Sequence, residues 1–381
     1  MSITATVGAD IFDGDVLHCG RALLQDGALF AGIVEVAQIP RDAAMRRVDG
    51  GTVTPGFVDL QVNGGGGVMF NDDPRVATLR TIAEAHRRTG TRALLPTLIT
   101  DTPGCTTAAV EAAVAAIDEG VPGIVGIHLE GPHLSKGRKG AHDAALIRPM
   151  EAADETMLLS AAERLPNVMI TVAPESVRLD QIARLAGAGI TVSLGHTDCT
   201  FEEASAAFQA GARCVTHLFN AMSQLTNREP GLVGAALHHG VGSGLIADAI
   251  HVHPATMRAA LAAKRAPSGM FLVTDAMATA GSDLAEFSLN GRRVLRRDGR
   301  LTLEDGTLAG ADLAMGTAIG VVEGLGVDRA QALAMATSVP ASFLRNPASH
   351  GRFRLGQPAN AVLIEGAATA GTGARIAPLE A

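Results

Sequence analysis

GIVGIHLEGPH, residues 123–133, is a short apolar run that ends on a carboxylate, Glu130. Three later runs repeat the pattern: ITVSLGHTD carries His196, RCVTHLFNAM carries His217, and GMFLVTDAM carries Asp275. A buried strand that delivers His, Glu or Asp at its C-terminal tip is how a (β/α)8 barrel builds an active site. Any one of these residues alone reads as a hydrogen-bonded structural side chain. Four in order form a constellation.

Counting outward from that run, strand-like segments fall at 57–63, 92–97, 124–130, 168–174, 191–196, 213–217, 244–248 and 270–275. Ala-rich helical segments separate them, among them 74–88, 107–117 and 201–210, the first opened by an Asp73 N-cap and Pro74. Near-continuous apolar strands alternating with helices imply a parallel sheet covered on both faces. Eight of them predict closure into a (β/α)8 barrel, with an open doubly wound sheet as the alternative.

The flanks read differently. Before Pro55-Gly56 the chain alternates short strands with Asp13-Gly14, Asp26-Gly27 and Asp49-Gly50, each a hairpin signal. After the eighth strand, residues 286–310 predict an antiparallel insertion turning at Asn290-Gly291 and Asp298-Gly299, followed by helices near 315–325 and 329–338. Strand-like pieces such as NAVLIEG return near the C-terminus. The expected architecture is therefore a small β-sandwich built from both termini (1–54 plus 350–381) beside a barrel spanning 55–349. The stretch AATAGTGARIAPLEA shows no clear final strand, so the sandwich is expected to be trimmed there.

The chain has 381 residues, 44 of them Gly, and 47% hydrophobic content, which suits a globular α/β enzyme. A net charge of −8 argues against nucleic-acid or membrane partners. The densest basic stretch (Arg292, Arg293, Arg296, Arg297) has acidic neighbours at Asp298, Glu304 and Asp305 and reads as a solvated hairpin. Cys19, Cys105, Cys199 and Cys214 show no CxxC pairing and read as reduced thiols. The opening residues lack a signal-peptide pattern and no run is suited to crossing a bilayer, so a cytoplasmic location is expected. Trp and Tyr are absent, so a sugar would have to be held by hydrogen bonds and charge.

Glu130, His196 and His217, on the third, fifth and sixth strands, make a sensible zinc set. Two neutral imidazoles and one carboxylate keep the ion electrophilic and leave a position open for a water whose pKa then falls toward neutrality. Asp275, on the eighth strand, is the expected proton-transfer carboxylate. His142, in a Gly- and Lys-rich loop, reads as a surface residue or as a group polarising a carbonyl. Asn220, Arg228 and His251 lie in loops after strands six and seven, where barrels bind phosphate, and Arg228 offers a bidentate fork. The run Gly64 to Gly67 precedes no GK[ST] and reads as a tight loop beside the site.

Together VTPGFVDLQVNG, HLEGPHLS, SLGHT, THLFNAM with REPGLVG, and LVTDAMATAG resemble the N-acetylglucosamine-6-phosphate deacetylases of the amidohydrolase superfamily. The match runs in order over most of the chain. The resemblance implies that Glu130, His196 and His217 hold the metal, that Asp275 is catalytic, and that His142 polarises the substrate carbonyl. It further implies that Asn220, Ala221 and His251 contact the phosphosugar. Arg228 matches an arginine that reaches the phosphate in the neighbouring subunit, which makes a homodimer the expected assembly.

Many amidohydrolases carry His-x-His on the first strand; here that place reads Gln61-Val62-Asn63. Neutral amides are poor divalent-metal ligands, so one ion per subunit is expected, zinc first, with iron, cobalt or manganese as substitutes. Gln61 and Asn63 are then expected to face substrate. The implied reaction releases acetate and glucosamine 6-phosphate. The galacto epimer, or a related amide, is the alternative substrate. A noncatalytic relative would be expected to have lost part of the site, and a phosphosugar isomerase on the same barrel would need no metal set.

Overall fold

The computed structural model describes residues 3–264, 269–346, 350–366 and 375–379. Its centre is an eight-stranded parallel sheet in sequential order. The strands are β1 (Phe57–Val62), β2 (Thr91–Ile99), β3 (Ile127–Glu130), β4 (Val168–Val172), β5 (Thr191–Leu194), β6 (Cys214–Val215), β7 (Gly242–Leu245) and β8 (Met270–Leu272). All eight expected strands form, and nearly every residue in them is buried. That two-faced burial is why the runs are apolar throughout instead of alternating.

β8 and β1 stand at the two ends of the sheet order. The circle closes by a single bridge, Val62 to Ala276, in place of a full ladder. Asp275 N–H donates to Gln61 O at 3.0 Å and Asn63 N–H to Ala276 O at 2.9 Å. The closure therefore falls at the level of the candidate site.

Helices cover the barrel where the Ala-rich segments predict them, with shifted ends. The first runs Val76–Arg88, two residues later than expected, with Arg75 at the N-cap. Asp73 takes the Arg75 guanidinium and the Thr78 hydroxyl instead of capping backbone N–H groups. The second, Pro103–Asp118, starts four residues early because Thr102 accepts from Cys105 N–H and Pro103 pre-sets the first turn.

The terminal segments build two further sheets. One, in the order Leu29–Glu35, Arg21–Asp26, Ile3–Val7 and Ala44–Arg47, is wholly N-terminal. The other, Arg375–Pro378, Ala361–Glu365, Thr52–Pro55, Asp10–Phe12 and Leu17–His18, joins both ends of the chain. Leu23 and Phe30 from the first meet Ile11, Val53 and Leu363 from the second in one apolar cluster, so the two sheets pack as a sandwich.

Two sequence expectations fail here. Asp49-Gly50 is no hairpin: it links Ala44–Arg47 in one sheet to Thr52–Pro55 in the other. The final strand does exist, since Arg375–Pro378 pairs antiparallel with Ala361–Glu365. Its sequence signal is weak because it is an edge strand that buries little.

The insertion forms as expected: Glu286–Leu289, Arg292–Arg297, Arg300–Leu303 and Leu308–Ala311 make an antiparallel sheet. Asn290 and Gly291, like Asp298 and Gly299, all have φ between 49° and 74°, as two-residue hairpin turns require. An apolar cluster of Leu289, Val294 and Leu301 with Met69, Ile99 and Met277 seats this sheet against the barrel mouth.

Candidate active site

His196, His217 and Asp275 follow the ends of β5, β6 and β8, all three with positive φ (48°, 27° and 48°). Left-handed backbone is uncommon outside glycine, and it marks functional positions where surrounding structure holds it in place. Here the bend carries each side chain off the strand and over the barrel mouth. Gly195 lets His196 in: a Cβ there would lie 2.9 Å from both Thr171 Cγ2 and Thr216 Cβ.

The side chains converge. His217 Nε2 lies 3.0 Å from Glu130 Oε1, His196 Nε2 3.3 Å from the same oxygen, and the two Nε2 atoms 3.1 Å from each other. All three residues are buried. Donor atoms held tetrahedrally about 2.0 Å from a zinc ion stand roughly 3.3 Å apart, so the spacing suits a divalent cation. The His196 tautomer fits as well. His196 Nδ1 donates to Arg138 O at 2.9 Å, which leaves Nε2 with a free lone pair in the neutral ring.

Burial opposes ionisation of Glu130, but hydrogen bonds and charge from His196 and His217 win and hold its carboxyl well below the usual range. Burial likewise pulls His217 down, and Glu130 more than reverses it.

Glu130, His142 and His196 also gather donor atoms within 4.8 Å, which raises His142 as a rival ligand. Its hydrogen bonds argue otherwise. Thr100 N–H points at His142 Nδ1 from 3.3 Å and Thr100 Oγ1 lies 2.8 Å away. An amide hydrogen aimed at Nδ1 requires a lone pair there, so the proton sits on Nε2. That N–H stands 3.8 Å from Glu130 Oε2. Burial and the neighbouring His196 hold the ring neutral, far below its ordinary value. His142 is therefore a hydrogen-bond donor facing the site, not a surface residue.

Asp275 is pushed up to about 6 by burial first and the charge of Glu130 second. Two amides steady it: Asn63 Nδ2 donates to Oδ1 at 2.7 Å and Gln61 Nε2 at 3.1 Å. Gln61 Nε2 also donates to Glu130 Oε1 at 3.1 Å, so one NH2 group bridges the two carboxylates. Gln61, expected to face substrate, directs its amide between the two acids and is not among the residues lining the cavity. Asn63 does line the cavity, and its buried Oδ1 has no partner among the described residues.

The cavity is about 230 Å³. Asn220, Ala221 and His251 also line it. Three contributors were not legible in the sequence. Asp248 takes His251 Nδ1–H at 2.6 Å and fixes the ring. Leu289, Thr307, Leu308 and Gly310 reach in from the insertion. The Arg292 guanidinium bonds Ala141 O, which ties the insertion to the loop carrying His142. The Arg292 cluster is thus only partly the solvated hairpin expected of it. Arg228 is exposed, lies outside the cavity lining, and makes no ion pair with any described residue, Glu229 included. The glycine run is a tight loop beside the site, its Gly64, Gly66 and Gly67 N–H groups donating to the Ala276, Ala280 and Ala278 carbonyls.

Comparison with known proteins agrees with this geometry. An N-acetylgalactosamine-6-phosphate deacetylase of Shewanella sp. (strain ANA-3) is 44% identical over 82% of this chain and 79% of its own length. An N-acetylglucosamine-6-phosphate deacetylase of Haemophilus influenzae is 33% identical over 84% of each. The crystal structure of N-acetylglucosamine-6-phosphate deacetylase from Pasteurella multocida superposes with a TM-score of 0.91 at 32% identity, covering 99% of this chain and 100% of that one. The sequence pattern of the amidohydrolase family matches residues 52–379. With its (β/α)8 barrel and a Glu/His cluster able to hold a metal at the strand ends, the chain belongs to the amidohydrolase family.

Proposed function

We propose that this chain hydrolyses the acetamide of N-acetyl-D-glucosamine 6-phosphate, yielding D-glucosamine 6-phosphate and acetate. The observation that carries the reading is the meeting, in one cavity, of a cation-ready Glu130/His196/His217 centre, an acid at Asp275 and a neutral donor at His142. The names of the relatives support it. A divalent ion held by Glu130, His196 and His217, one per subunit and zinc for preference, would supply Lewis acidity to a water and to the acetamide carbonyl.

The chain's own groups account for the rest. His142 Nε2–H donates to the acetamide oxygen and gains strength as negative charge builds there. Asp275, raised to about 6, is mostly ionised at neutral pH, so it takes a proton from the attacking water and returns it to the leaving amine. Asn63 Nδ2 holds Asp275 while its open Oδ1 accepts the substrate N–H. Asn220, Ala221 and His251 meet the phosphosugar, with Asp248 orienting His251.

Arg228 reaches the phosphate bound in a partner subunit of a homodimer. Its exposure, and that of Leu225 (57%) on the same loop, support this assignment. Residues 55–349 are the catalytic unit, and 1–54 with 350–381 a supporting one. No helix among the described residues is long and apolar enough to cross a membrane, in keeping with action on a free phosphosugar in the cytoplasm.

A second reading, the galacto epimer as substrate, is favoured by the 44% identical relative. Acetate release from both 6-phosphosugars, with and without chelator, separates the two. Equal kcat/KM for N-acetylglucosamine with and without its phosphate would overturn the phosphosugar assignment.

A further inference from the structure

Asp59 stands in the middle of β1 with no solvent exposure, although burial pushes its carboxyl up to about 7. A buried carboxylate in a barrel wall is costly unless its hydrogen bonds compensate. Its partners reveal what it holds. Oδ1 accepts Thr274 N–H and Gln61 N–H, both at 3.3 Å, and Oδ2 accepts the Thr274 hydroxyl at 2.5 Å. Thr274 Oγ1 in turn accepts Ala276 N–H at 3.3 Å.

Thr274 and Gln61 face each other across the β8–β1 closure, where the two end strands of the sheet have a bridge instead of a ladder. Their N–H groups therefore have no strand carbonyl to meet, and a buried unpaired N–H is costly. The Asp59 carboxylate supplies the missing acceptor. Directly above this clasp lie Asp275, whose backbone is left-handed, and the Gln61 amide that joins Asp275 to Glu130. One carboxylate oxygen thus ties the residue preceding the proton-transfer acid to the backbone of the residue bridging the two acids.

We propose that Asp59 is a positioning residue, a buried clasp across the barrel closure that fixes the aim of Asp275 and Gln61. Only the kinetic readout rests on the deacetylase reading. Asp59→Asn keeps Oδ1 for both N–H groups, and its new Nδ2 can donate to Thr274 Oγ1. Asp59→Ala removes the acceptor altogether, and Thr274→Val removes one of its three donors at constant shape.

Misplacing a catalytic group by about 1 Å can cost about 10²-fold, so Asp59→Ala should lose about 10²-fold in kcat with KM within about threefold. Thr274→Val should lose about tenfold, and Asp59→Asn should recover most of the loss. Hydrogen exchange of the amides in 57–63 and 270–276 should accelerate in Asp59→Ala and not in Asp59→Asn. A folded Asp59→Ala protein with wild-type kcat, a loss carried by KM, or Asp59→Asn as poor as Asp59→Ala would overturn the proposal. If Asp59→Ala fails to fold, wild-type kcat in Thr274→Val overturns it. If the wild-type protein releases no acetate from either phosphosugar, the functional reading fails, and the exchange measurement still decides the clasp.

Discussion

Replacing Asp275 by Asn should abolish turnover and yet make the metal-free protein more stable. The native carboxyl is raised from its ordinary 3.8 to about 6. Burial and the Glu130 charge push it up, while the His217 charge, the Asn63 hydrogen bond and the His251 charge pull it down. A rise of that size corresponds to about 3 kcal/mol. The sign follows from which state holds the proton. Above pH 6 the carboxylate is charged in both states and the native protein bears the full cost. As pH falls through 6 the native carboxyl takes up a proton and the cost shrinks. Below 3.8 both states are protonated and the cost is gone.

The substituted amide would carry no charge at any pH and keep an oxygen for Asn63 Nδ2. Asp275→Asn should therefore gain up to about 3 kcal/mol at pH 8, and with an unfolding entropy near 2.1 cal/mol/K per residue this is about 4 °C in Tm. The assay is thermal unfolding of chelator-treated wild-type and variant protein, followed by circular dichroism at pH 8 and pH 5. The gain should be largest at pH 8, smaller at pH 5, and smaller again with Zn²⁺ present, because a cation relieves the repulsion between Glu130 and Asp275. A variant no more stable than wild type at pH 8, or one with the same gain at both pH values, would refute the electrostatic reasoning. Retained activity would refute the catalytic role.

His142→Gln should lower kcat by about 10²- to 10³-fold with little change in KM, the usual effect of losing an oxyanion donor; steady-state kinetics on the phosphosugar test this. Chelation should abolish activity and Zn²⁺ restore it, while Glu130→Gln should bind metal at least tenfold more weakly, measured by elemental analysis after dialysis. Arg228→Ala should raise KM and spare kcat. Mixing inactive Asp275→Asn with Arg228→Ala subunits should regenerate sites of wild-type KM if each site borrows Arg228 from a partner, and mixing without effect would exclude the shared site.

The sequence alone determined the eight strands, because burial on both faces imposes unbroken apolar runs that composition records directly. It also marked Glu130, His196, His217 and Asp275, since a polar residue closing such a run has only the barrel mouth to occupy. The hairpins of the insertion were equally local, set by Asn290-Gly291 and Asp298-Gly299. Asp49-Gly50 carried the same signal and misled, because partner choice between sheets depends on side chains far away in the chain.

Tertiary structure alone decided how the side chains of the candidate site face one another. Whether His142 donates or ligates depends on the Thr100 amide, 42 residues away in sequence. Gln61 came to bridge two acids, and Asp59 to face Thr274, through the closure of β8 on β1, which places residues more than 200 positions apart within hydrogen-bond distance. Local sequence fixes which groups exist and on which strand ends they stand. Their protonation, their partners and their aim are set by long-range packing, which no single stretch of chain encodes.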